Sequence, residues 1–234
     1  LILFPNVIIL AISSLLIPEF STFYAKKDEK QIKRISLRLI KITFVFSILV
    51  FGIFFTFPEK LSLLVYEDVN VVKFIKILAP LIVFMYIDSI VDGMLKGLNK
   101  QVEVMNCNIL DLFISTSLLP VMGIYGYIFV LYISELLNTV ISIIQLIKTS
   151  KIKIKFFTWT VLPTASILLS RYVILLLDIS FVSDILSITF NIIIFTIIYL
   201  AFLSLASSGI DFLISSNHSL DNLNLGIFGS TKYL

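Results

Sequence analysis

The chain has 234 residues, of which 59% are hydrophobic, and a mean hydropathy of +1.07, whereas an ordinary soluble domain is roughly 45–50% apolar. One globule cannot bury such an excess, and the net charge of +3 is uninformative as a sum because the lysines cluster in particular loops. The lone Cys107 excludes an internal disulfide and gives no support to an extracellular disulfide fold.

Seven apolar segments follow one another along the chain: 1–17, 42–57, 74–95, 104–122, 124–147, 157–177 and 185–206. Backbone groups in hydrocarbon must be satisfied internally, which leaves helices or a closed barrel. Barrel strands alternate over about 10 residues; these blocks are longer and continuously apolar, so the reading is an all-α polytopic membrane protein with about seven transmembrane helices. The lobe they form covers 1–207, and a polar stretch at 208–234, holding Asp211, His218, Asp221 and Lys232, reads as a cytoplasmic tail.

The first segment ends at Pro18, and a loop dense in lysine follows. From Asp28 to Lys41 the pattern is that of an amphipathic helix. Asp28 is placed to cap it, Gln31 comes three residues later, and Ile32, Ile35 and Leu39 share one face. Its basic side chains suit anionic lipid headgroups at about 1 kcal/mol each, although a merely solvated loop is the other reading. Thirteen basic residues lie in the loops after the first, third and fifth segments, against three in the loops after the second, fourth and sixth. The positive-inside rule then puts the N-terminus outside and the C-terminus in the cytoplasm of a multi-pass cell-membrane protein.

Pro80 and Pro163 predict kinks in the third and sixth segments. Gly93 and Gly97 form a small-xxx-small pair open to close helix approach, or else loosen a helix end. Pro120 to Gly126 joins the fourth and fifth segments by a very short turn, which makes them antiparallel neighbours. The chain begins inside an apolar block with no basic flank before it, which reads as a piece of something longer.

Charged groups within a crossing are costly and mark function by default. Asp88 and Asp92 share a helix face, Asp88 deeper and Asp92 near the interface, where a solvated carboxylate is expected. Asn108, Asp111 and Ser115 make one polar stripe, and Glu135, Asn138 and Ser142 repeat its spacing. The short turn between the two helices lets both stripes face a common interior. They form either a water-accessible lining for a cation, a proton or a polar headgroup, or interhelical hydrogen bonds. Asp88, Asp111, Glu135, Asn108 and Asn138 are the pathway candidates, with Asp92 and Arg171 behind them. Arg171, near the outer end of its segment, suits interfacial anchoring.

No histidine accompanies Cys107, since the single histidine is His218 in the tail, and no zinc, nucleophile-elbow or phosphate-loop motif is present. The expectation is a non-enzyme with no cofactor, no metal and no nucleic-acid partner, because the lysine loops sit against a membrane.

The stretches LLIPEFSTFYAKKDEKQIKR, APLIVFMYIDSIVDGMLKGLNK and LLPVMGIYGYIFVLYISELLN, with the loop from Lys148 to Lys155, are similar in order to the C-terminal half of a known family. The chain resembles the polysaccharide-flippase branch of the multidrug/oligosaccharidyl-lipid/polysaccharide exporter superfamily, above all its stage V sporulation protein B group, over roughly residues 1 to 165. The resemblance implies a lobe of a two-lobed flippase of about fourteen helices, working by alternating access. Its substrate would be a lipid-linked oligosaccharide or peptidoglycan precursor crossing the cytoplasmic membrane, for spore cortex or cell-wall synthesis. Its N-terminal lobe would have to come from the same or a neighbouring chain. A cation-coupled multidrug antiporter of the same superfamily and a non-transporting membrane assembly component are the alternatives.

Overall fold

A computed structural model describes residues 3–152, 156–177 and 185–206, and within these it leaves undescribed the side chains of 110, 111, 114, 115, 117–125 and 156–158. Among the described residues eight helices appear in chain order: α1 (Asn6–Ala25), α2 (Glu29–Thr56), α3 (Pro58–Tyr66), α4 (Val71–Leu78), α5 (Leu81–Gly97), α6 (Gln101–Ser150), α7 (Phe156–Leu177) and α8 (Ile185–Ala206). The described residues contain no strand. Five helical stretches are long and apolar enough to cross a membrane, or six if α4 and α5 form one broken span. The chain is an all-α polytopic membrane protein.

Two prolines act differently. Pro80 separates α4 from α5, which meet at a 48° bend, because it supplies no N–H to the preceding turn. Pro18 does not end its helix as expected: α1 runs on to Ala25. One missing donor is tolerable in a membrane helix, and the extra turns bury Phe20 completely beside Gly97. The cap expected at Asp28 forms, its carboxylate accepting from the Gln31 amide at 3.0 Å. The amphipathic segment and the second apolar segment are one continuous helix, α2, with Ile32 buried and the lysines outward. The loop around Lys60 contains an unforeseen helix, α3, which packs on α4.

The residues from 101 to 150 are assigned to a single helical run, yet the Gln145 amide reaches the Cys107 sulfur at 3.7 Å. In a straight helix these residues would stand about 57 Å apart at 1.5 Å per residue. The run therefore doubles back between them, and its second arm, Gly126–Ser150, is itself long enough to span a membrane. That arm runs parallel to the α4–α5 pair. Tyr132 donates to the Ile77 carbonyl near one end, Thr139 to the Phe84 carbonyl at 3.3 Å further along, and Ser142 meets Asp92 beyond it.

Helix α5 sits at the centre, packed against α1, α2 and α6. The association of such helices in lipid rests on van der Waals packing and polar contacts. Tyr86, Met94 and Leu95 on α5 are fully buried, as are Phe20, Phe195 and Tyr199 elsewhere in the core, while Leu168, Leu175, Leu186 and Leu205 point outward. The expected close approach at Gly93 and Gly97 is made by α1: a Cβ at Gly93 would stand 2.6 Å from the Ser13 carbonyl oxygen, and one at Gly97 2.7 Å from that of Ile17.

The lysine-rich segments meet at one end of the molecule. Lys151, just after α6, pairs with Glu29 at 3.7 Å, and Lys100, just after α5, pairs with Glu103 at 2.6 Å. The Glu103 carboxylate holds the Lys100 ammonium above its usual pKa. Lys153, Lys155, the loop holding Asp178 and Asp184, and the tail from 208 lie outside the described residues.

Candidate functional site

The polar groups of α5 and the second arm of α6 meet along one seam. Asp88 and Asp92, four residues apart, point from α5 toward α6, where Asn138 and Ser142 repeat that spacing. The Asn138 amide donates to Asp88 at 2.9 Å, and the Ser142 hydroxyl reaches Asp92 at 3.4 Å. Asn108, on the first arm of α6, also hydrogen-bonds the Asp92 carboxylate, and Lys96 stands 3.9 Å from it. Thr139 seals the seam by donating to the Glu135 carbonyl at 2.8 Å as well as to α5.

Burial sets the character of this seam. Asp88, Asp92 and Asn138 are each 8–9% exposed and Ser142 1%. Asp92 was expected to be a solvated interfacial carboxylate, and it differs because α6 closes over it. A carboxylate out of water needs a proton, a cation or several donors to be tolerated. Asp92 has a lysine and two neutral donors, and Asp88 accepts from the Asn138 amide. The carbonyl oxygen of Asn138 is buried with no hydrogen-bond partner among the described residues. An acceptor left open beside a carboxylate, deep in a bundle, can take a proton-bearing or cationic guest.

The other candidates lie differently. Glu135 is half-buried one helical turn before Asn138 on the same arm. Asp111 is in the first arm of α6, and its side chain, like that of Ser115, lies outside what is described. The two stripes of α6 were expected to face a common interior, and what is described of them meets on α5. Asn138 and Ser142 meet Asp88 and Asp92, and of the first stripe Asn108 joins them at Asp92. Arg171 is far from this seam, over the ring of Phe55 at 4.9 Å. The seam also includes Lys96, Thr139 and Tyr132, which were not singled out in the sequence. Their signal was available: Tyr132 and Thr139 are two helical turns apart and Thr139 adjoins Asn138. No group of three or more His, Cys, Asp or Glu placed for a metal occurs among the described residues.

No curated protein and no solved structure matches the chain. A model of the MatE family matches residues 3–121, just over half of its length, from α1 through α5 into the first arm of α6. The match contains Asp88, Asp92 and Asn108 and stops before Asn138. With its bundle of membrane-length helices and this match, the chain belongs to the MatE family, membrane transporters of the multidrug/oligosaccharidyl-lipid/polysaccharide exporter superfamily.

Proposed function

We propose that the chain is the C-terminal lobe of a flippase that moves a lipid-linked oligosaccharide or peptidoglycan precursor across the cytoplasmic membrane, with Asp88 and Asn138 as its proton or cation site. The observation that carries the reading is the buried Asp88–Asn138 pair in a transporter-family chain. Asp92, Asn108, Glu135 and Asp111 extend the pathway along α6. The lysine-rich end is cytoplasmic by the positive-inside rule, and a second lobe, in the same or a neighbouring chain, completes the cavity.

A lipid-linked cargo is favoured by a groove of about 600 Å³ beside α2 and α8, headed by Arg38 and Lys41 and continued by Val45, Phe46, Leu49 and Leu200. Two cations followed by an apolar trough match a phosphate carried on a long hydrocarbon chain. The resemblance to the sporulation group makes spore cortex or cell-wall synthesis the destination of that cargo. The carboxylate seam equally favours a second reading, a cation-coupled multidrug antiporter, which has the same need for a titratable site.

Proteoliposomes holding the chain, alone and with an N-terminal lobe, test the readings. The flippase reading expects a fluorescent lipid-linked sugar to become inaccessible to an added quencher, and Asp88→Asn to slow this by about tenfold or more. Ethidium uptake driven by an ion gradient, without movement of the lipid-linked sugar, would replace it by the antiporter reading.

A further inference from the structure

At the end of the molecule away from the lysine-rich loops, α2, α3, α4, α7 and α8 enclose a cavity of about 310 Å³, at the small end of the roughly 300–1,000 Å³ typical of ligand sites. Among the described residues its lining carries three cations, Lys60, Lys76 and Arg171, and one carboxylate, Glu59. Glu59 is engaged by Lys76 at 3.6 Å, so Lys60 and Arg171 lack a counter-charge among those residues. The lining is unbalanced toward positive charge and toward donors.

Arg171 is held in a way that leaves its donors available. The guanidinium stacks on the Phe55 ring, 4.9 Å from the centroid. A stacked guanidinium uses its face and keeps its in-plane N–H groups for an oxyanion, and none of the described residues accepts from them. Thr56 adds a hydroxyl whose oxygen is buried with no hydrogen-bond partner among the described residues. Helix α3 starts beside it at Pro58 with no side-chain cap on its first turn, so its leading amides are oriented for an acceptor. A planar fork, two ammoniums and a hydroxyl, set against the Glu59 carboxylate that Lys76 already engages and the Asn191 amide, match a tetrahedral oxyanion with several oxygens.

We infer that this cavity binds a phosphate or diphosphate group, either free or carried by a lipid headgroup. The site is separate from the carboxylate seam and does not depend on which cargo the transporter moves.

Calorimetric titration of the 234-residue chain in phosphatidylcholine nanodiscs with inorganic pyrophosphate tests the inference. Saturable binding is expected, weakened about tenfold or more by Arg171→Gln and by several-fold in Lys60→Gln, with Lys151→Gln at the far end unaffected. If Arg171→Gln does not fold, Arg171→Lys and the exposed Lys60→Gln decide; the former keeps the charge and loses the fork. Weaker pyrophosphate binding in nanodiscs containing phosphatidylglycerol identifies a lipid headgroup as the natural occupant, and equal binding identifies a free anion. Absence of saturable binding, or affinities in the Arg171 and Lys60 variants equal to wild type, would overturn the site.

Discussion

Helix α5 presents two faces built on opposite principles. Toward α1 it offers Gly93 and Gly97, and the helices approach until Ser13 donates to the Ser89 carbonyl at 2.6 Å. Toward α6 it offers Asp88 and Asp92, set against an amide and a hydroxyl. The first face leaves no space for a methyl group and so has one arrangement. The second is held by hydrogen bonds to two carboxyls, and under the proposed function it is the face that rearranges when a proton or cation arrives. A close-packed face and a polar one therefore share a single helix, a turn or less apart: Asp92 and Gly93 are neighbours in sequence.

The largest stability effect is expected where that division is sharpest. Gly93→Ala brings a Cβ to 2.6 Å from the Ser13 carbonyl oxygen, a backbone atom that moves only with α1. Overpacking of this kind costs about 1–3 kcal/mol, read as a lower thermal midpoint in detergent. An unchanged midpoint would mean that the glycine face is no tighter than the polar one.

The opposite signature is expected at Asp88. Asp88→Asn keeps the shape and a hydrogen-bonding group toward Asn138 while removing the titration. Transport should fall by about tenfold or more, in line with coupling free energies of roughly 1–3 kcal/mol, while the thermal midpoint stays near wild type. A variant that transports normally removes Asp88 from coupling; one that merely unfolds assigns both faces of α5 to architecture.

These contrasts were partly legible in the sequence. Spacing alone put Asp88 with Asp92, Asn138 with Ser142, and Gly93 with Gly97 on common faces, because helical periodicity is a local property. It could not say which face meets which. The stripe from Asn108 and the stripe from Glu135 were given a common interior, but that α5 supplies it, through Asp88 and Asp92, was not visible. Partner choice depends on shape across many residues, and here the close α1 contact fixes how α5 is turned. The same limit explains Pro18. A proline signals a lost donor, but whether the helix stops there depends on what its continuation buries, and α1 gains the Phe20 contact at Gly97. The cation-lined cavity was the least legible, since Lys60, Lys76 and Arg171 come from three separate parts of the chain.

A finer test compares single hydroxyls on the two faces. Ser13→Ala deletes a short, part-buried bond to a backbone carbonyl of α5. Interhelical hydrogen bonds in membranes average about 0.6 kcal/mol and reach about 1.7. This one should fall in the upper part of that range, because the Ser89 carbonyl has no room to find another donor beside Gly93. Chemical unfolding in mixed micelles measures it, and a loss well under about 0.6 kcal/mol would show that the glycine face relaxes more than its spacing implies.

The smallest effect is expected at Ser142. Its hydroxyl stands 3.4 Å from Asp92, at the long limit for a hydrogen bond. The carboxylate it serves also has Asn108 and Lys96. Ser142→Ala should therefore cost less than about 0.6 kcal/mol. The informative reading is its combination with Asp88→Asn. If the seam is one coupled unit, the double variant departs from additivity; if Asp88 and Asp92 respond separately, the two changes add within about 0.5 kcal/mol. Additivity would confine the responsive part of α5 to the single turn around Asp88 and leave Asp92, like Gly93 beside it, with the rigid face.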